Sequence, residues 1–130
     1  CVPYGNMLDN NYSFGTVGFF IKMAETGKDI TLYGGGTIKR TFTHLEDLCY
    51  QMINGAFNPA SDNQVYNIGG ETLSIHDAAK IIADKYGVNV VAVPWPEADL
   101  RLESNHTYFD DTRIQKLLGG YRYKHSLKEI

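Results

Sequence analysis

The feature that most limits how this chain can fold is its alternation of helical and extended segments, most of them closed by glycine or proline. The clearest segment begins at Ser74, a favoured helix N-cap residue with an acid three positions later, and ends at Gly87. Apolar residues recur at helical spacing between them, and the run Val88–Val93 that follows is typical of a buried strand. Helices that alternate with strands predict an α/β fold.

Glycine, proline and polar clusters predict the remaining elements. Gly34–Gly36 lies between two short extended segments, which is the pattern of a β-hairpin turn. Residues 6–15, and about a dozen residues from Pro94 onward, are expected to be loops. The pattern predicts further helices over 16–26, from about 43–47 to 57 and over 111–118, and strands over 30–33, 38–42 and 64–68.

Composition limits the classes of function. The 130 residues suit one compact domain, 1–130, and a formal charge of -3 argues against duplex nucleic acid as a partner. No apolar run approaches the ~20 residues of a membrane span, and the N-terminus lacks a secretory signal pattern. The two cysteines, Cys1 and Cys49, form no disulfide framework. These features predict a cytoplasmic protein with no membrane or nucleic-acid partner.

Both ends of the sequence are typical of a piece cut from a longer polypeptide. The chain opens at Cys1 without an initiator methionine, in a segment that resembles the end of a strand. Ser126 and Glu129 have the spacing of a capping box, and the sequence stops one residue after it. We therefore expect further chain on both sides.

The motifs of several enzyme classes are missing from the sequence. It contains no G-x-G-x-x-G, no G-K-[ST] and no G-x-S-x-G, so neither a dinucleotide site nor a serine nucleophile is indicated. The four histidines, His44, His76, His106 and His125, are far apart in the sequence, and no metal site is expected. Motifs alone indicate an α/β domain of unassigned activity.

The segment from Ile30 to Asp47 resembles a signature of the extended short-chain dehydrogenase/reductase family, the NAD(P)-dependent nucleotide-sugar epimerases and dehydratases. The family pattern is roughly I-x-[VL]-[FY]-G-x-G-x-x-x-R-D-[FW]-x-[HY]-V-x-D. The chain matches it at Tyr33, Gly34, Gly36, Arg40, Phe42, His44 and Asp47.

Shorter matches follow in the family order over nearly the whole chain. They are Val2–Gly5, Val65–Gly70, Leu73–Ile75, Arg101 with Tyr108 and Asp111, and Leu117–Gly119. The chain departs from the pattern at Thr41, where the family has an acid, and at Leu102-Glu103, where it has Pro-Gly.

The resemblance implies that this is the C-terminal, substrate-binding lobe of such an enzyme, with short strands and about four helices, and that the Rossmann half is absent from it. The implied partners are a nucleoside-diphosphate sugar and the missing Rossmann half. NAD or NADP would serve the full-length protein, whereas these residues would bind no cofactor and carry no catalytic group. An alternative is a non-catalytic nucleotide-sugar-binding module, or a structural or interaction module, derived from the family.

The resemblance also implies substrate-binding residues. Arg40 matches the arginine that holds the diphosphate, and a guanidinium suits that role because it offers a planar, permanently charged set of donors. The alternative for Arg40 is a solvated arginine on a hairpin. The other candidates are Tyr33 for the base or ribose, Asn67 for an oxygen of the ligand, Arg101 for a second charged contact, and Tyr108.

Three further residues have mainly structural interpretations. His44 and Asp47 are expected to support the start of a helix, where an acid stabilises free N–H groups. Trp95 either lines the sugar pocket or is buried for packing.

In the family, the helix near 45–57 and the strand near 64–68 pack on the Rossmann half. We therefore expect an uncovered apolar face here, which a two-fold homodimer would cover. The residues expected in it are Leu48, Cys49, Met52, Ile53, Val65 and Ile68.

Overall fold

The computed structural model describes residues 1–5 and 15–130, and the loop predicted over 6–15 lies outside the described residues except for Gly15. The described elements are β1 (Val2–Tyr4), α1 (Thr16–Glu25), β2 (Ile30–Tyr33), β3 (Lys39–His44), α2 (Leu45–Ala56), β4 (Glu71–Ser74), α3 (Ile75–Tyr86), β5 (Val90–Val93), α4 (Glu97–Leu102) and α5 (Thr112–Leu118), with 3-10 turns at Pro59–Ser61 and Leu127–Glu129. The α/β class is confirmed.

Within these ranges the strands form two small sheets. In the first, β3 is central: β1 runs parallel to it and β4 antiparallel, with Phe42 opposite both Val2 and Glu71. In the second, β2 and β5 run parallel, with Ile30 opposite Val90. Consecutive strands β2 and β3 therefore belong to different sheets.

The predicted hairpin at Gly34–Gly36 is wrong for this reason. All three glycines have positive φ angles of 61°, 82° and 70°, a conformation that side chains with a Cβ rarely adopt. This backbone turns the chain out of β2 and carries it into the other sheet, where Ile38 accepts a hydrogen bond from the N–H of Ile75. Local sequence could predict the turn but not the partner of each strand.

The hydrophobic core lies between helices α1 and α3 and the two sheets. Helix α3 contributes Ala78, Ala79, Ile82 and Ala83, which are all buried, and Val17 and Phe20 of α1 pack into the same cluster. Small residues on α3 let α1 approach closely. The predicted limits of α3 are confirmed, because the Ser74 hydroxyl accepts the N–H of Asp77 at 3.0 Å and Gly87 ends the helix with φ 72°.

Four details of the sequence prediction need correction. Residues 64–68 pair with none of the described strands, and the strand lies instead at Glu71–Ser74. Strand β5 is shorter than predicted and not buried, since Val91 and Ala92 are exposed. The loop after Pro94 contains α4, which raises the number of described α-helices to five. Asp111 precedes α5 as expected, but its side chain makes no N-cap hydrogen bond.

Helix α2 has an unusual division of polar and apolar residues. Asp47 and Gln51 are fully buried, whereas Met52 and Ile53 are each 56% exposed. The Asp47 carboxylate accepts hydrogen bonds from the Tyr121 hydroxyl at 2.6 Å and from the backbone N–H groups of Lys124 and His125. Burial, reinforced by this bond, raises the pKa of Tyr121.

The interpretation of His44 and Asp47 as structural residues is in accord with these contacts. His44 is the N-cap of α2, and its Nδ1 accepts the N–H of Glu46 at 3.2 Å. Asp47 fixes the distant segment 121–125 rather than the helix start. None of the helices within residues 1–5 and 15–130 has the length and apolar character needed to cross a bilayer.

Candidate functional site

A cavity of about 300 Å³ opens beside the glycine turn that joins the two sheets. Its wall combines apolar and aromatic side chains with one arginine. The described residues that line it are Val2, Thr16, Phe19, Phe20, Thr31, Leu32, Tyr33, Gly36, Ile38, Arg40, Ile75, Trp95 and Glu103. We call it the Arg40 cavity.

Arg40 lies in the first half of β3, and its side chain is only 18% exposed. The guanidinium forms an ion pair with Glu103 and donates hydrogen bonds to the backbone carbonyls of Lys39 and Asn105, both at 2.9 Å. It also donates to the backbone carbonyl of Ser104 at 3.2 Å. The hairpin alternative is wrong, because Arg40 lies on a central strand and is mostly buried.

A segment over 103–107, which we call the strap, holds this side chain in place. Strand β1 pairs only with the second half of β3, so the edge of β3 near Arg40 is left to the strap. The N–H of Thr107 donates to the carbonyl of Lys39, and the N–H of Lys39 donates to Nδ1 of His106, both at 3.0 Å. Thr107 thereby forms an isolated parallel bridge with Arg40.

Two aromatic rings form another part of the wall. Tyr33 and Trp95 have ring centroids 5.2 Å apart with 40° between the planes. Gly34 makes this contact possible, because a Cβ built there would lie 2.4 Å from Nε1 of Trp95. Trp95 therefore lines the cavity, and Tyr33 remains 46% exposed beside it.

The other candidate residues do not reach the Arg40 cavity. Arg101 lies on α4, pairs with Glu97 and has a side chain that is 75% exposed. Tyr108 is exposed beyond the strap. Asn67 lines a separate shallow depression with Tyr66 and Phe109. A binding role for these three residues stays a prediction.

Sequence reasoning missed Glu103 and the helix α1 aromatics Phe19 and Phe20. Glu103 occupies a position where the chain departs from the family pattern, and that departure was the available signal. The α1 aromatics appear in the sequence only as an apolar helical stripe, which gives no indication that part of the stripe borders a cavity.

A second polar group lies at the other end of β3. The rings of His44 and His125 stack with centroids 3.9 Å apart, and Nε2 of His125 lies 2.8 Å from Oε2 of Glu46. Burial and electrostatic repulsion between the two imidazoles lower the pKa of His44, while Glu46 and Asp47 act in the opposite direction. The four histidines are far apart along the chain, as predicted, but the fold brings two of them, His44 and His125, together.

Comparison with known proteins gives the fold a context. No family model matches the chain. A dTDP-L-rhamnose 4-epimerase of Burkholderia thailandensis is 33% identical over 84 residues, which cover 64% of this chain and 23% of that protein. This chain thus spans about a quarter of the curated relative.

Solved structures match nearly the whole chain. Pal from Bacillus thuringiensis superposes with a TM-score of 0.83 at 20% identity, over 98% of this chain and 40% of that one. UDP-glucose 4-epimerase from Thermotoga maritima, solved with UDP-glucose, has a TM-score of 0.79 at 23% identity. The match covers 98% of this chain and 40% of that one. DesIV, a dTDP-glucose 4,6-dehydratase of Streptomyces venezuelae with NAD and TYD bound, has a TM-score of 0.80 at 22% identity. The match covers 99% of this chain and 38% of that one.

These findings confirm the resemblance at the level of the fold. The structure has the fold of one portion of the NAD-dependent nucleotide-sugar epimerases and dehydratases, the extended short-chain dehydrogenase/reductases. The relatives include epimerases and dehydratases of nucleotide sugars, and this chain corresponds to about two fifths of each solved structure. A share of two fifths is consistent with this chain being a C-terminal portion of a protein of that kind.

Proposed function

We propose that this chain is the substrate-binding portion of an NAD(P)-dependent nucleotide-sugar epimerase or dehydratase, and that the Arg40 cavity receives the nucleoside diphosphate. The observation that carries the proposal is a mostly buried guanidinium in the wall of a cavity whose other lining residues, apart from Glu103 and two threonines, are apolar, aromatic or glycine. An arginine held by backbone carbonyls is positioned in advance, so little side-chain entropy is lost when an anion binds.

Glu103 occupies the position that a phosphate would take on Arg40. Both groups are anions that accept hydrogen bonds from a guanidinium, and the two compete for the same N–H donors. The Glu103 side chain is 27% exposed. The strap is also attached to β3 by the Thr107–Lys39 backbone hydrogen bond, by His106 and by the bonds from Arg40 to the carbonyls of Ser104 and Asn105, none of which uses the Glu103 side chain. Glu103 can therefore turn outward while the strap stays in place, and a diphosphate then replaces it.

The pair of Tyr33 and Trp95 gives the cavity a surface suited to a flat ring or to the apolar face of a sugar. Aromatic side chains pack against such groups with large contact areas and lose little conformational entropy. The position of this pair beside Arg40 fits a ligand that joins an aromatic base, a diphosphate and a sugar.

The nicotinamide cofactor belongs to the rest of such an enzyme. Its pyrophosphate needs a glycine-rich turn between a strand and a helix N-terminus. The turn at Gly34–Gly36 connects two strands, so this turn does not fit the pyrophosphate and we assign no cofactor contact to it. We expect these 130 residues to bind no NAD, and micromolar binding of NAD to them in calorimetry would contradict this division of roles.

Substitution of Arg40 tests the proposed anchor. In the full-length protein, Arg40→Ala should weaken binding of UDP-glucose or dTDP-glucose by about 1.5–3 kcal/mol, the range for a hydrogen bond to a charged group. Uridine, which has no phosphate, should bind the wild type and the variant equally. Titration calorimetry that finds unchanged affinity for both nucleotide sugars would overturn the assignment.

A matched pair of substitutions tests the exchange of Glu103 for phosphate. Glu103→Gln removes the competing charge, so the same nucleotide sugars should bind several-fold more tightly. Glu97→Gln is the control, because Glu97 also pairs with an arginine but lies on the exposed face of α4, away from the cavity. Equal effects of the two variants would show that general surface charge, rather than Glu103, sets the affinity.

A further inference from the structure

Three metal-ligating side chains meet at the junction of β3 and α2. One ligand atom from each of His44, Glu46 and His125 lies within 4.8 Å of the other two. His125 is 79 residues away from Glu46 along the chain, and only the return of the C-terminal segment brings it there. The group borders a cavity of about 550 Å³, and among the described residues this cavity shares no lining residue with the Arg40 cavity.

The backbone on both sides of this group is fixed independently of the side chains. His44 is the last residue of β3 and pairs in register with Tyr4. The buried carboxylate of Asp47 accepts the backbone N–H groups of Lys124 and His125 at 3.0 Å and 3.1 Å, which holds the second histidine opposite the first. The backbone that carries the three side chains is thus in place before any ligand arrives.

We propose that His44, Glu46 and His125 bind one divalent transition-metal ion, with Zn²⁺ as the preferred species. Two imidazole nitrogens and one carboxylate oxygen form a donor set that suits Zn²⁺, and water completes a four-coordinate site. Imidazole ligands select against Mg²⁺ and Ca²⁺, which prefer oxygen donors alone.

Coordination requires a small movement of side chains. The two imidazole planes are now nearly parallel, at 28°, so their in-plane lone pairs do not converge on one point. The His125 side chain is 31% exposed and the Glu46 side chain 69%, and both are free to turn toward His44. The ion would replace the His125–Glu46 hydrogen bond and the long bond from the Glu46 N–H to Nδ1 of His44.

Zinc titration of the full-length protein by calorimetry tests the proposal. The wild type should bind one Zn²⁺, and His125→Ala, Glu46→Gln and His44→Asn should each weaken binding about tenfold or more, since even outer-shell changes reach that range. Asn is a favoured N-cap residue, so His44→Asn removes the imidazole while preserving the start of α2. Mg²⁺ should not compete.

The control is His76→Ala. His76 also lies near an acid, Asp77, at 3.7 Å, but no third ligand lies beside it among residues 1–5 and 15–130. This variant should bind Zn²⁺ as the wild type does. Absorption of bound Co²⁺ gives a second measurement, with the intense visible bands of a tetrahedral site expected only when all three residues are present.

Absence of saturable Zn²⁺ binding would overturn the proposal and leave the group as an ion pair. Equal loss of affinity in His76→Ala would overturn it as well, because it would indicate binding by scattered surface histidines. Neither result affects the Arg40 cavity, which is tested by separate substitutions.

Discussion

Helices α2 and α3 have the same length, and the sequence gives both an apolar stripe, but the structure treats the two stripes in opposite ways. On α3 the stripe is buried, and Ile82 is 0% exposed in the core. On α2 the buried side is polar, with Asp47 and Gln51 inside, while Met52 and Ile53 face outward. An amphipathic pattern predicts that a face will be covered, but it does not say which part of the protein covers it.

The difference has a simple physical origin. Helix α3 packs on α1 and the strands, all of which belong to this chain. Phe57, the C-cap residue of α2, and Val65 are also exposed, and a large exposed apolar surface usually marks an interface. Since the chain spans about 40% of the solved structures that it matches, we propose that the rest of the protein packs on α2, or that a second copy covers it.

Matched isoleucine truncations give the largest expected contrast. Ile82→Ala should lower the free energy of unfolding of the 130-residue chain by about 2–5 kcal/mol, because it leaves a cavity in the core. Ile53→Ala should change it by less than about 0.5 kcal/mol, as for an exposed site. Urea denaturation at a concentration that keeps the chain monomeric measures both, and equal losses would mean that the α2 face is already covered within this chain.

Matched acids extend the comparison to polar residues. Asp47→Ala leaves the N–H groups of Lys124 and His125 and the Tyr121 hydroxyl without their acceptor, and should cost about 2–4 kcal/mol of stability. Asp84 on α3 pairs with Lys80 at the surface, and Asp84→Ala should cost less than about 1 kcal/mol. Similar values for the two variants in chemical denaturation would refute the assignment of Asp47 as the anchor of the C-terminal segment.

Self-association tests whether the α2 face is an interface. The 130-residue chain should sediment as a concentration-dependent dimer, and Ile53→Lys should shift it toward monomer by placing a charge in the apolar face. Lys80→Ala on the exposed side of α3 serves as the control and should leave the equilibrium unchanged. A wild-type chain that stays monomeric at high concentration would exclude the homodimer and favour coverage by the remaining polypeptide.

The smallest effect concerns pH. Burial lowers the pKa of His44, so the unfolded chain takes up a proton at a higher pH than the folded chain does. The stability contributed by neutral His44 is therefore present above about pH 6.5 and is lost as the pH falls below that value. Chemical denaturation with a chelator present measures the free energy of unfolding between pH 7.5 and 5.5. This free energy should fall less steeply with decreasing pH in His44→Asn than in the wild type. An equal fall in the two proteins would contradict the lowered pKa of His44.

The accuracy of the sequence predictions follows the range of the interactions involved. Helix α3 was predicted almost to the residue because Ser74 and Gly87 act through backbone groups only a few positions away. The prediction of a strand at 64–68 was wrong, because a segment with β-branched residues forms a strand only where another strand is free to pair with it. The strand lies at Glu71–Ser74, where β3 offers that edge.

In the candidate site, too, features that depend on nearby residues could be predicted, and contacts between distant segments could not. The resemblance pointed to Arg40 and Tyr33, and the structure brings both to one cavity. It could not predict Glu103 on the guanidinium, because that contact spans 63 residues and depends on the strap pairing with an edge that β1 leaves free. Arg101 and Tyr108 follow the family spacing but lie on α4 and beyond the strap, away from the cavity.

The sequence by itself determined the α/β class, the three longer helices, the turn at Gly34–Gly36 and the likeness to nucleotide-sugar epimerases and dehydratases. Each of these depends on residue types at short spacing, where backbone geometry and capping groups decide the outcome. Only the tertiary structure decided which strands pair, that Glu103 covers Arg40, that His44 meets His125, and that α2 buries Asp47 and exposes Ile53. Those arrangements depend on contacts between segments that are distant in the sequence. Several segments could pack on the same surface, and which of them does so depends on the free energy of the whole folded chain.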